Sequence, residues 1–223
     1  QLGELGLLGL LLPEQYGGAG SSMLDGVVFY EELGRSLAPV PHLESCVASA
    51  GAFLAAGSDA QKQEWLPRIA SGSSIVVPAW LEPGNGFSPR GVQVTARADG
   101  DSFVLDGSKM HVRFASSADR LLVLARTGDA VGDVDLFLVD PSADGVSMEQ
   151  RMSISSDTQY RVELRGVTVS AEDRVGAAGT GWSTWSGVMD DVMILTAALA
   201  NGGAERTLGV TVQHSEDREQ FHQ

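Results

Sequence analysis

The chain has 223 residues, 43% of them apolar and 20% charged, which is enough for one or two domains with a core and excludes a wholly disordered segment. Its formal net charge of −14 excludes a general nucleic-acid binder, which needs a basic face to neutralise phosphates. Cys46 is the single cysteine, so an internal disulfide and a cysteine-rich metal site are excluded, and its small-residue surroundings predict a buried, inert thiol.

The opening QLGELGLLGLLLPE is apolar but has no basic flank, and Pro13 stops it too early for a membrane span or a secretory signal. The reading is a cytoplasmic chain with no membrane partner, whose two ends both look cut through a continuing pattern. Residues 3–10 are predicted as a short apolar helix, and the glycines of PEQYGGAG as a loop. Ser21 and Ser22 offer caps for a helix carrying Leu24, Val27, Val28 and Leu33, ended by Gly34 or by Pro39 and Pro41. A small-residue helix follows over about 42–56, suited to close packing. Ser58 and Asp59 then cap a third helix through Trp65, Leu66 and Ile69 to Gly72.

From Ser74 the period changes to that of strands. IVVPAWLE makes one strand, the proline- and glycine-rich EPGNGFSPRG a loop, and Val92, Val94, Ala96 and Ala98 alternate along the next strand. Asp99-Gly100 and Asp106-Gly107 are both turn dipeptides, so residues 94–127 predict two hairpins in a row, with strands at 102–107, 109–114 and 120–126. VDLFLVD, VSMEQR and the long alternating QYRVELRGVTVS complete about seven strands, enough for a small barrel or sandwich. Beyond a glycine-rich joint at 176–181, one long helix runs from Trp182 to about Asp217. Its Gly202-Gly203 pair predicts a place where another backbone comes close. The fold class is therefore α+β: a helical domain over 1–73, a β-barrel-like domain over 74–178, and over 179–223 the first long helix of a helical bundle cut short.

Four segments in this order carry a family resemblance: LLLPEQYGGAG with FYEELGRS, GSDAQKQEWLPRIASG, GDSFVLDGSKMHVRFASSADRLLVLART, and VSAEDRVGAAGTGW with EDREQF. Together they resemble the acyl-CoA dehydrogenase family. The resemblance implies FAD, an acyl-CoA thioester substrate, α,β-dehydrogenation to an enoyl-CoA, and an electron-transfer flavoprotein-type acceptor. Such chemistry needs a carboxylate base for the Cα proton and a flavin to accept the Cβ hydride.

The positions matched to the family's flavin-facing residues differ in chemistry. Where the family has W-I-T-N, this chain has His111 and Arg113 at the Trp and Thr places, and Leu81 replaces the Thr of T-E-P-G-x-G-S-D. Leu81 has no hydroxyl to donate to a flavin. Arg113 can instead grip a phosphate or carboxylate, and His111 reads either as a group stacking on or titrating near a flavin or as a packed strand residue. Phe87 and Ser88 end that loop on the substrate side. No catalytic base is assigned within the chain. Asp190 matches the Asp of a D-x-E-R motif, but Val192 and Met193 hold the Glu-Arg places, and Asp191, the weak candidate, points about 100° away. Arg218 and Phe221 match R-x-x-F-G, in which the resemblance implies an arginine reaching the FAD diphosphate of a neighbouring subunit. The leading expectation is a chain that completes the pocket of a second acyl-CoA dehydrogenase-like subunit in a heteromer, as in the sterol-degrading members it resembles. The alternatives are a self-sufficient homotetrameric enzyme with an atypical flavin pocket, and a non-catalytic acyl-CoA-binding or structural subunit.

Overall fold

The computed structural model describes residues 2–84, 86–154 and 157–220. Residues 3–10 form turns, not the expected helix: Gly6 has φ +70°, a left-handed conformation that breaks the winding. Helix α1 (Met23–Ser36) begins at a capping box in which the Ser22 hydroxyl accepts from Asp25 N and Asp25 returns to Ser22 N. It runs past Gly34 and stops at Leu37, which takes the left-handed conformation at φ 49°. The predicted 42–56 helix is wound as a π-helix over Leu43–Ser49 and as an α-helix over Ala50–Ala56 (α2). Ser58 and Gln61 cap α3 (Asp59–Ser71), closed by left-handed Gly72.

The strands are β1 (Val76–Ala79), β2 (Thr95–Asp99), β3 (Ser102–Arg113), β4 (Arg120–Arg126), β5 (Val134–Val139), β6 (Val146–Arg151), β7 (Gln159–Ser170) and β8 (Arg174–Val175). They join in one sheet of order β6-β7-β3-β2-β4-β5-β8, with β1 beside β4. The predicted pair of hairpins is one hairpin only. β2 and β3 pair around Gly100, but Asp106-Gly107 lies within the continuous β3, both of whose halves pair with β7, and there Arg165-Gly166 of β7 bulges opposite Asp106. β4 runs parallel to β1 and pairs with β2 only at Thr95↔Arg126, so it does not extend a meander from β3.

Alternation sorts the apolar residues into two layers. Val77, Ala79, Leu121, Val123, Phe137, Val139, Val162 and Leu164 fill the inside of the curved sheet. Leu122, Leu124, Leu136 and Leu138 face outward onto Phe53, Trp65 and Leu66 of the helical layer. Helix α4 (Gly181–Asp217) lies on this body through Trp185, Val188, Leu195 and Ala198. It crosses α1 where Gly34 and Gly202 sit, and a Cβ on either would lie 1.9 Å from a carbonyl oxygen of the other helix. The close backbone approach predicted for the glycine pair is thus realised at Gly202. From Ala204 onward every described residue of α4 is exposed. Among the described residues no helix is long and apolar enough to cross a membrane, and no group of acidic, histidine or cysteine side chains is arranged to hold a metal ion.

Candidate functional site

Three of the sequence-selected residues come together. Leu81, His111 and Arg113 line one cleft of about 290 Å³, with Leu43, Glu44, Ala48, Pro78, Trp80, Gln159, Trp185, Met189 and Val192 around them. The N-terminal helical layer, the sheet and α4 all contribute, with Trp185, Met189 and Val192 forming one stripe of α4.

A buried clip sets the near wall. Lys109 is wholly buried, and its ammonium lies 2.6 Å from Glu82 Oε1. The other Glu82 oxygen accepts from Gln93 N, and Val94 N donates to the same carboxylate. Burial pulls Lys109 down to about 8, with the Glu82 carboxylate opposing that fall. Met110 N donates to Leu81 O at 2.8 Å, so the loop bearing Leu81 is tied to the strand bearing His111.

Arg113 anchors an ionic bridge at the cleft's wall. Arg113 Nη1 lies 2.8 Å from Glu44 Oε1, and Arg113 Nε lies 3.0 Å from Asp157 Oδ2. The anion that Arg113 grips is therefore carried by its own chain. Glu44 belongs to the π-helical segment, and its side chain is 10% exposed, with Oε2 buried and unpartnered among the described residues. Burial pushes the Glu44 carboxyl above its ordinary 4.5, and the Arg113 charge works against that rise. A carboxyl that holds its proton longer when folded stabilises the fold most at low pH. That contribution is lost as pH rises from 4.5 through the folded value. Glu44→Gln, which keeps an acceptor for Arg113, is expected to lack this decline. The difference between its denaturation midpoint and that of the parent chain should grow above pH 4.5 and then level. A difference independent of pH would refute the assignment.

The remaining sequence-selected residues lie elsewhere. Phe87 is 78% exposed at the cleft's rim, its ring 5.5 Å from that of Trp80, and Trp80 in turn lies 5.5 Å from Trp185. Ser88 does not line the cleft, and its N–H donates to Gly86 O. Asp190 and Asp191 are exposed on α4 away from the cleft, and Val192 holds the inward position. Arg218 caps the exposed end of α4, and Phe221 lies outside the described residues. Cys46 is buried and its thiol is pushed up to about 12 by burial, as expected of an inert cysteine.

Glu44, Asp157, Gln159 and Trp185 were not selected from the sequence. Glu44 did leave a signal, being a lone acid inside the otherwise small and apolar run HLESCVASAG. Asp157 and Gln159 left none, because only the pairing of β7 with β3 brings them to Arg113 and His111.

Comparison with known proteins agrees with this architecture. Residues 1–73 match the acyl-CoA dehydrogenase N-terminal domain, and residues 79–167 match the acyl-CoA dehydrogenase middle domain. The chain belongs to the acyl-CoA dehydrogenase family. It is 32% identical to (2S)-methylsuccinyl-CoA dehydrogenase of Cereibacter sphaeroides, over 99% of this chain and 43% of that protein. The ChsE4-ChsE5 complex of Mycobacterium tuberculosis superposes with a TM-score of 0.78 and 30% identity, over 86% of this chain and 50% of the other. The Tcur3481-Tcur3483 steroid acyl-CoA dehydrogenase superposes with a TM-score of 0.88 and 26% identity, over 99% and 58%. The chain spans between 43% and 61% of the length of the curated relatives it matches.

Proposed function

We propose that this chain is the pocket-completing subunit of a heteromeric acyl-CoA dehydrogenase. Its own cleft accepts part of an acyl-CoA thioester, and FAD is held at a site belonging to, or shared with, a second acyl-CoA dehydrogenase-like subunit. The assembly carries out α,β-dehydrogenation to the enoyl-CoA and passes electrons to an electron-transfer flavoprotein-type acceptor. A bulky steroid-like acyl group is the substrate class suggested by the similarity to the Tcur3481-Tcur3483 steroid enzyme.

The observation that carries this reading is the Glu44–Arg113–Asp157 bridge at the wall of the cleft. A flavin ring needs hydrogen-bond donors toward its carbonyl oxygens and nitrogens. In this cleft the Arg113 guanidinium is engaged by two carboxylates, and Leu81 presents a side chain with no donor. These residues do not fit an isoalloxazine, so no step of the chemistry is assigned to them. The position of Arg218 supports the same reading. Beyond Val192 the helix continues for roughly 39 Å, at about 1.5 Å per residue, before it reaches Arg218. A guanidinium so placed serves a phosphate on another subunit better than one in its own cleft. Leu208, Val210 and Val212, exposed on the same arm, give that subunit an apolar surface to cover.

Purified alone, the chain is expected to be colourless, and to acquire flavin absorbance and dehydrogenase activity only with a partner subunit. A yellow protein carrying one flavin per chain and turning over acyl-CoA unaided would overturn the proposal.

A further inference from the structure

His111 is presented to the cleft by backbone geometry that an ordinary strand residue does not have. It lies in a bulge of β3, where the pairing shifts between Lys109↔Val162 and Val112↔Tyr160, and its φ is +54°. A bulge of this kind re-aims a side chain, and a non-glycine residue in the left-handed region is a local strain that the surroundings must hold in place.

The surroundings also settle which ring nitrogen carries the proton. The Gln159 amide nitrogen donates to both oxygens of Asp157, at 2.9 and 3.1 Å. A carboxylate only accepts, so the amide cannot be turned round, and Gln159 Oε1 faces His111 Nδ1 at 2.8 Å. Nδ1 must therefore donate, which leaves the lone pair of the neutral ring on Nε2. Among the described residues Nε2 has no partner. The ring stands in a cleft lined also by Pro78, Trp80, Leu81 and Trp185, and the charged groups of that lining, Glu44 and Arg113, are paired with each other.

We propose that His111 is a specificity-determining residue of this cleft, its Nε2 accepting a hydrogen bond from a hydroxyl on the acyl group of a bound CoA thioester. The proposal rests on the acyl-CoA reading above and narrows it to hydroxylated acyl groups. A ketone at the same carbon brings only lone pairs toward Nε2 and is disfavoured.

Trp80 and Trp185 line the cleft, so tryptophan fluorescence of the intact chain reports occupancy. Octanoyl-CoA, β-hydroxyoctanoyl-CoA, ω-hydroxyoctanoyl-CoA and β-ketooctanoyl-CoA are the probes. At least one hydroxyacyl-CoA is expected to bind roughly three- to tenfold more tightly than octanoyl-CoA, the range of one neutral hydrogen bond, and the ketoacyl-CoA no more tightly. His111→Phe should abolish that preference, bringing the hydroxyacyl-CoA to the affinity of octanoyl-CoA measured on the same variant, because a phenyl ring offers no acceptor. Nitrogen NMR of His111 should show the Nε2 resonance moving on addition of the hydroxyacyl-CoA and not of octanoyl-CoA. Equal affinities for all four probes, or a preference surviving in His111→Phe, would overturn this proposal alone. Quenching by none of them would overturn it together with the acyl-CoA reading.

Discussion

Replacing Gly202 with alanine is expected to destabilise the chain by about 3 kcal/mol or more, among the largest effects open to a single added methyl group. A Cβ at this position would lie 1.9 Å from Glu31 O, 2.6 Å from its carbonyl carbon and 2.8 Å from its Cα. All three are backbone atoms, so no side chain can rotate away and the two helices must separate. Separation would loosen the packing of Tyr30, Leu33, Leu195 and Ala198, which form the core between α1 and α4. For a chain of this size the loss corresponds to a fall in melting temperature of roughly 6–12 °C. Gly209→Ala on the same helix is the control, because a Cβ there meets nothing within 4 Å. That variant should gain up to about 1 kcal/mol from helix propensity alone. Thermal melts of the two variants decide the matter: similar shifts would mean that the crossing is not as close as described.

The second large effect concerns the clip behind the cleft. Lys109→Met is expected to cost about 3–5 kcal/mol, the usual penalty for removing one member of a buried ion pair. The methionine fills much of the same space but leaves the Glu82 carboxylate in a site where its side chain is 3% exposed. Glu82 would keep its hydrogen bonds from Gln93 N and Val94 N but lose its counter-charge. Adding Glu82→Gln to Lys109→Met should recover a large part of the loss, since the amide oxygen still accepts a backbone N–H and no charge is stranded. Denaturant titration of the single and double variants tests this. A single variant within about 1 kcal/mol of the parent chain would show that the pair is not the anchor of the wall.

Much of the helical layer could be read from residues in sequence, because the interactions that start and stop a helix are local. Ser22 and Ser58 cap helices by hydrogen bonds to backbone three residues on, and Gly72 closes one by its own left-handed conformation. The same holds for β7, whose alternation marks Val162 and Leu164 and then, after a phase shift at Arg165-Gly166, Val167 and Val169. The reading failed where local and non-local preferences compete. Gly3, Gly6 and Gly9 outweighed the apolar character of residues 3–10. Asp106-Gly107 has the chemistry of a turn, but β7 is long enough to pair with both sides of it, and the strand passes through opposite a bulge in β7.

The site divides in the same way. Leu81, His111 and Arg113 were found by matching motifs, because each stands at a fixed place in a contiguous stretch. Their partners Glu44, Asp157 and Gln159 come from other segments, and nothing local marks Asp157 or Gln159 for that role.

The sequence by itself determined the family, the order of helices and strands, the glycine at the helix crossing and the departure of Leu81, His111 and Arg113 from that family's motifs. These are properties of contiguous residues and of their period. Only the tertiary structure decided that Arg113 is neutralised by two carboxylates from distant segments, that Val192 and not Asp191 faces the cleft, and that His111 presents Nε2. Burial, charge pairing and tautomer depend on which atoms meet within a few ångströms. Strand pairing and helix packing set that proximity, over separations that no local pattern records.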